Sequence, residues 1–265
     1  VLAATIMRPH LYTILLLLNF TFHAKSQTDD REFKKWQYFN VPSNEDTVYS
    51  YNLCDTNWIV YKKNKLLLTR QMGDTTDWEY LPFKTPTPKS YSKMEEFSGK
   101  KSFIKVNDGY LVAFWRGEFG ASMFWFSDDG TSNYKIPGAS AVQFISRDGE
   151  IFAINGLDHL NMSSGRILKI SKVNDKWVAS TYVELPFAPY TILLDSKNEF
   201  IVVMSNNLIR VNKNKRIKTI LKTDFWQGLY PTSSVIEYDN VYIGMRKGIY
   251  QFNLRTKESK WLLPQ

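Results

Sequence analysis

Cysteine and histidine are nearly missing from this chain of 265 residues. Cys54 is the one thiol, and His10, His23 and His159 are the only imidazoles. No disulfide framework and no Cys/His metal cluster can be built from that set. A serine triad would have to rely on His159, and no nucleophile-elbow sequence accompanies it. Calcium needs several oxygen ligands in one tight loop, a pattern that neither Asp128 and Asp129 nor Asp158 belongs to. No metal and no cofactor are therefore expected. Helical periodicity is almost absent as well, and one apolar run stands out, at 11–22, interrupted by Thr13, Asn19 and Thr21. That run follows Arg8 and His10 and precedes Ala24, Lys25 and Ser26, the arrangement of a signal peptide. It is shorter than the roughly 20 residues that span a bilayer. Residues 1–26 are expected to be a leader and 27–265 a single exported domain, secreted or periplasmic, monomeric, with no stable membrane insertion after cleavage.

What the chain has in quantity is apolar and aromatic surface. Hydrophobic residues make up 43% and aromatic residues 15%, against 23% charged, which is the balance of a chain that buries a core and not of a disordered one. The formal net charge is +8; without Arg8 and Lys25, 32 basic residues face 26 acidic ones, leaving +6. The lysines are scattered, and the densest run, Lys213, Lys215 and Arg216, reads as a hairpin turn. A nucleic-acid groove would need a contiguous basic stripe, so nucleic acid is not an expected partner.

Runs of β-branched and aromatic residues separated by Asn, Asp, Gly and Lys recur along the chain, the pattern of an all-β fold. Four apolar hairpins are legible at 102–114, 141–154, 191–203 and 234–244. Their turns, at Asp108, Asp148, Asn198 and Asn240, lie 40, 50 and 42 residues apart. A weaker turn at Asp55 and Asn57 precedes them. A second mark has the same spacing: aromatic-containing strands at 78–82, 134–137, 182–186 and 261–264 end in Pro82, Pro137, Pro186 and Pro264. Proline suits the end of an edge strand, where no ladder donor is needed. Repeats of 40 to 50 residues with four strands each predict a β-propeller of five or six four-stranded blades. The strand at 36–42, which carries the same mark, either closes the ring or belongs to a sixth blade. Residues 83–100 are expected to be a long loop, and Cys54 a small buried residue at a strand end.

Val241, Tyr242, Ile243 and Gly244, followed by Gly248, Ile249 and Tyr250, resemble the blade motif of regulator-type propellers in bacterial sensor ectodomains. In that family the Tyr242 position holds tryptophan and the Met245 position threonine. Residues 126–130 resemble the Asp-box of sialidase-type propellers, with Gly130 one position early. The propeller geometry implies that loops joining second to third strands share a face with the connections between blades. The expected loops on that face, 62–64, 116–120, 155–161, 205–207 and 246–248, bring Arg116, Glu118, Asp158, His159 and Arg246 together, and the inter-blade segments add Tyr190, Trp226 and Tyr230. Arg116 and Arg246 form a forked donor pair for a carboxylate or sulfate, and the aromatics suit a sugar face. Trp58, Trp115 and Trp125, on strands, are assigned to the core. The expectation is a non-catalytic module that binds a protein partner or an oligosaccharide on its loop face. The alternative is a carbohydrate-active enzyme using Glu118 and Asp158 as its paired carboxylates.

Overall fold

A computed structural model describes residues 31–73, 80–85, 97–159 and 162–265. The expected leader, Trp78 and most of the long loop lie outside these residues. The described chain opens with two short strands, β1 (Arg31–Glu32) and β2 (Trp36–Phe39), and one helix, α1 (Glu45–Asn52). A hairpin follows, β3 (Trp58–Lys63) and β4 (Leu66–Gln71). Next come four meanders. The first is β5 (Lys100–Val106), β6 (Gly109–Trp115), β7 (Ala121–Phe126) and β8 (Asn133–Lys135). The second is β9 (Gln143–Arg147), β10 (Glu150–His159), β11 (Met162–Val173) and β12 (Lys176–Leu185). The third is β13 (Pro189–Leu194), β14 (Phe200–Met204), β15 (Asn207–Val211) and β16 (Ile217–Lys222). The last is β17 (Ser233–Glu237), β18 (Asn240–Gly244), β19 (Ile249–Asn253) and β20 (Ser259–Pro264).

Each meander is one antiparallel sheet in strand order, and β3 and β4 begin a further sheet whose outer strand is β1. The first strands of successive sheets touch: β5 meets β9, β9 meets β13, β13 meets β17 and β17 meets β3. All five first strands line one axial channel. The chain is a β-propeller, with five sheets among the described residues. Its core lies between blades. Leu111, Met123, Ala153 and Leu168 pack the second sheet on the third. Phe152, Ile167, Val202 and Ile209 pack the third on the fourth, and Ile201, Val203, Ile243 and Trp261 the fourth on the fifth.

The turns explain why the hairpins form where they do. Asn64 and Lys65, Asp148 and Gly149, and Asn174 and Asp175 all take positive φ at both central positions, the backbone twist that two-residue hairpins require. Turn side chains then link neighbouring blades. Asp108 accepts from Trp177 Nε1 at 3.1 Å and lies 2.7 Å from Lys172 Nζ, both in the third sheet. Asp148 accepts from Asn198 Nδ2 at 2.5 Å and from Lys213 Nζ at 3.0 Å, both in the fourth. The same position in consecutive repeats thus makes the same kind of latch.

The amino-terminal part departs from the expected repeat. Where a first strand was expected, residues 45–52 form α1, because Asn44 Oδ1 accepts from the backbone N–H groups of Asp46 and Thr47 and Glu45 and Asp46 favour the first turn. Asp55 and Asn57 therefore connect a helix to β3 and are not a hairpin turn. Lys62, Lys63 and Asn64 belong to the β3–β4 hairpin, at the end of the ring opposite the expected loop face. Cys54 follows α1 and is half-buried; burial pushes its thiol up, and hydrogen bonds with Thr56 together with the Lys247 charge outweigh that and lower it.

β2 does not start another sheet. It pairs with β20 as a fifth strand of the last sheet, while β1 pairs with β4 of the first. The segment 31–39 is a strap across the seam between first and last blades. Trp36 is buried there, edge-on to Trp58 at 4.7 Å, and donates to Thr69 Oγ1 at 3.1 Å. The ends of the long loop are also anchored. Phe83 and Phe97 pack on Phe126, Phe114 and Phe124, covering the face of the second sheet that points away from the third. The Asp-box-like residues serve that anchoring: Asp129 accepts from Ser127 Oγ and from Thr131 N, and Gly130 at φ +74° leaves room for the Phe83 ring.

Candidate functional site: the loop-face cleft and the channel mouth

Because the first strands run in one direction, the second-to-third-strand loops and the inter-blade connections meet at one end of the ring. A cleft of about 450 Å³ opens there, lined by Trp115, Gly117, Leu157, Asp158, His159, Tyr190, Gln227 and Tyr230 among others. It is made from both connection types. Gly117 lies in the single 3-10 turn Gly117–Phe119 after β6, Leu157 to His159 end β10, Tyr190 is the second residue of β13, and Gln227 and Tyr230 come from the connection before β17.

Tyr190 reaches the cleft because the 187–189 segment lies flat on the β10–β11 hairpin. Gly156 and Gly165 are paired across that hairpin, and a Cβ on either would come within 2.5 Å of the Pro189 ring. Ser163 Oγ accepts from Ala188 N at 3.0 Å and fixes the same approach. Burial, and then the negative charge of Asp158, hold the Tyr190 phenol protonated far above its usual range. It is a donor at any ordinary pH.

A second arm of about 380 Å³ lies on the other side of Trp115 and Leu157, between the second and third sheets. Here Arg166 Nε donates to Asn155 Oδ1 at 3.0 Å and its Nη2 to Gly138 O at 3.4 Å, while Asn155 donates to Ser140. Ser164 and Glu184 complete the polar lining. Tyr190 also lines the axial channel, so cleft and channel meet at this residue. The channel holds about 540 Å³, and its lining comes largely from the opening residues of the first strands.

The residues singled out from sequence fall into three groups. Asp158, His159, Tyr190 and Tyr230 share the cleft. Arg246 sits beside it: its guanidinium lies 5.0 Å from the Tyr230 ring centre and donates to Asn52 O at 2.5 Å and Asn52 Oδ1 at 2.7 Å, so it is engaged with the end of α1. Arg116 caps its own loop, with Nε 3.5 Å from Phe119 O. The two arginines do not form one fork. Glu118 lies in the Gly117–Phe119 turn, and only its backbone is described. Trp226 is not at the face: it is fully buried between the fourth and fifth sheets and donates to Met204 O at 2.9 Å. The loop at 155–161 is largely strand, since β10 runs to His159.

Trp115, expected in the core, packs on the core cluster of the third and fourth sheets and also lines both arms of the cleft. Its position as the last residue of β6, beside a glycine-bearing turn, was the available signal. Leu157 and Gln227 were missed for lack of any motif. Among the described residues, no three His, Cys, Asp or Glu side chains converge to hold a metal ion, and no helix is long and apolar enough to cross a membrane.

No family model and no curated protein matches the chain. Solved structures that resemble it include virginiamycin B lyase from Staphylococcus aureus, at 14% identity and a TM-score of 0.42, covering 64% of this chain and 56% of that one. The extracellular domain of BT4673 from B. thetaiotaomicron is 11% identical with a TM-score of 0.43, over 87% of this chain and 29% of that one. YCF48 bound to D1 peptide is 14% identical with a TM-score of 0.42, over 88% and 74%. The chain spans little more than half the length of the lyase.

Proposed function

We propose that this chain is an exported, non-catalytic binding propeller whose loop face receives a protein partner. Exposed large apolar side chains bordering the cleft carry this reading; others, Leu66, Val173, Ile217 and Tyr238, stand exposed at the opposite end. Tyr49 on α1, Leu53 at its C-cap, Phe119, Leu157, Met162 and Tyr230 are all solvent-exposed, and all belong to segments at the loop-face end. Phe119 is 79% exposed and lies outside the buried core. Apolar and aromatic surface around a cleft with a few polar groups is the composition of a protein-recognition site. Tyr190, Gln227, Asp158 and His159 supply the orienting hydrogen bonds.

A photo-crosslinking amino acid placed at Leu157 or Tyr230 tests the proposal, with Tyr238 in the opposite-face turn as control. In the source envelope, one defined adduct from the loop-face positions and none from Tyr238 is the expected result. Adducts of equal yield from both faces would overturn it.

A second reading has its own observation. The polar arm sets Trp115 beside Arg166, Asn155, Ser164 and Glu184, a flat ring next to fixed donors and acceptors, which suits an oligosaccharide. Thermal unfolding of the full chain against acidic and neutral oligosaccharides separates the two: a shift abolished by Trp115→Ala favours saccharide. Turnover of such a ligand that is lost in Asp158→Asn while binding persists would favour the enzymatic alternative with Glu118.

A further inference from the structure

In a chain whose formal net charge is +8, the loop-face cleft carries the opposite sign. Asp158 is the one carboxylate in its described lining, and no lysine or arginine lines it. Alternation along β10 puts Asp158 on the same side of the β10–β11 hairpin as Gly156, and its register partner Ser163 is the residue that accepts from Ala188 N. The Asp158 side chain therefore projects toward the 187–190 segment, close enough to Tyr190 that its charge adds to burial in holding that phenol protonated. Yet no hydrogen bond joins the two. Among the described residues the Asp158 carboxylate, the Tyr190 hydroxyl and the Gln227 side-chain amide take part in no hydrogen bond or ion pair. Trp115, Leu157 and Tyr230 add aromatic and apolar surface to the same lining. Tyr230 is half exposed, and its φ of +49° is a backbone conformation that an aromatic residue rarely adopts. Functional sites concentrate such strained positions. The ring lies against the Arg246 guanidinium, which is itself bound to Asn52 outside the cleft.

We infer that the cleft receives an organic cation, an ammonium or guanidinium group on an alkyl stem, presented by the protein partner as a lysine or arginine side chain. The inference rests on the protein-partner reading and names the chemistry which that reading leaves open. A carboxylate among low-dielectric walls attracts a cation more strongly than it would in water. Tyr190 Oη and the Gln227 side-chain carbonyl can each accept one N–H from the same group. The rings of Trp115 and Tyr230 attract a positive charge, and the alkyl stem of a long basic side chain packs along such surface and along Leu157. An anionic side chain would meet two neutral donors and the repulsion of Asp158.

Chemical-shift titration of the full chain with n-butylammonium, n-butylguanidinium and butyrate at matched ionic strength, followed at the Trp115 indole and the Leu157 amide, tests the inference and separates ammonium from guanidinium. One or both cations should bind, and butyrate should not. Asp158→Asn should weaken the preferred cation about tenfold, as for losing a charge-assisted contact, and Tyr190→Phe about threefold, as for losing a neutral hydrogen bond. Asp175→Asn, which removes the same charge from the β11–β12 turn at the opposite end of the ring, should bind like the parent. Equal weakening in Asp158→Asn and Asp175→Asn would reduce the effect to general attraction and overturn the inference. So would butyrate binding as tightly as the cations, or no shift at Trp115 and Leu157 with either cation. The Leu157 crosslink separates this failure from that of the partner proposal. An adduct without cation binding overturns the inference alone, whereas cation binding without an adduct keeps the cation site and overturns the partner.

Discussion

The fourth sheet and the first occupy equivalent places in the ring and are held there by different means. In the fourth, every residue of β14 is buried and side-chain bonds reach both neighbours, from Gln143 on one side and to Ser234 on the other. In the first, the hairpin β3–β4 is completed by β1 from the start of the described chain. Its contact with the fifth sheet combines Trp36 with bonds to the backbone of β3: Trp58 N to Met245 O at 3.1 Å, Thr232 Oγ1 to Trp58 O at 2.6 Å and Val60 N to Ser233 Oγ at 2.8 Å. A regular blade is stabilised by what it buries, whereas the irregular one is stabilised by what is fastened over it.

Trp36→Ala gives the sharpest break in that contrast. It removes a buried ring and its hydrogen bond to Thr69 Oγ1, a loss of about 3–5 kcal/mol by the measure of large aromatic truncations, read from the denaturant midpoint. Hydrogen exchange should quicken first in β4 and β20 while β14 stays protected. Uniform acceleration would mean the strap is part of one cooperative unit. Ile201→Ala, in the fully buried β14, should cost about 2–5 kcal/mol, with protection falling in all sheets together.

Gly244→Ala probes the seam from the other side. Its Cβ would meet Trp58 O at 2.4 Å and Ser233 Oγ at 2.7 Å, and overpacking against backbone costs about 1–3 kcal/mol. The predicted structural signature is a displaced β3 with an unchanged fourth sheet. The smallest effect is expected at a latch between regular blades. Asp108→Asn should cost under about 1 kcal/mol, the usual range for such partly exposed pairs. Burial acts to raise the Asp108 carboxyl, but hydrogen bonds from Lys172 and Trp177 outweigh it and lower it below 3.8. A carboxyl lowered by folding contributes fully above its ordinary value and loses that contribution as pH falls through the lowered one. Parent and variant stabilities should therefore differ at neutral pH and converge in acid.

Legibility in the sequence followed the same division. The four hairpins of the second to fifth sheets were readable because each combines two apolar runs with an Asn, Asp or Gly turn, signals that act within a dozen residues. The proline-ended strands at 134–137 and 182–186 were readable as outer edges for the same local reason, whereas β20, at 261–264, is covered by β2. The first blade was not, because α1 and the strap depend on partners at the other end of the chain: Asn52 on Arg246, and β2 on β20. At the candidate site, the end of the ring was legible for Asp158, His159 and Tyr230, since hairpin order decides it, though Asp158 and His159 are the last residues of β10 and not a loop. Whether a side chain faces out was not. Trp226, read as a loop-face residue, is buried by the neighbouring blade, and Trp115, read as core, both packs on the core and borders the cleft.

The strap also bears on the order in which the protein can be completed. β2 emerges from the ribosome before the sheets that follow it and its partner β20 after them, so their pairing waits until all of the chain between them has been made. The second to fourth sheets can each assemble from local hairpins as they appear. Closure of the ring brings together the residues most distant in sequence, the kind of contact that slows folding most. Until then the apolar side of β20, including Leu262, is without Trp36, and a chain stalled at that stage offers an open strand edge to other copies of itself. Such a stalled chain would be the species most in need of a chaperone.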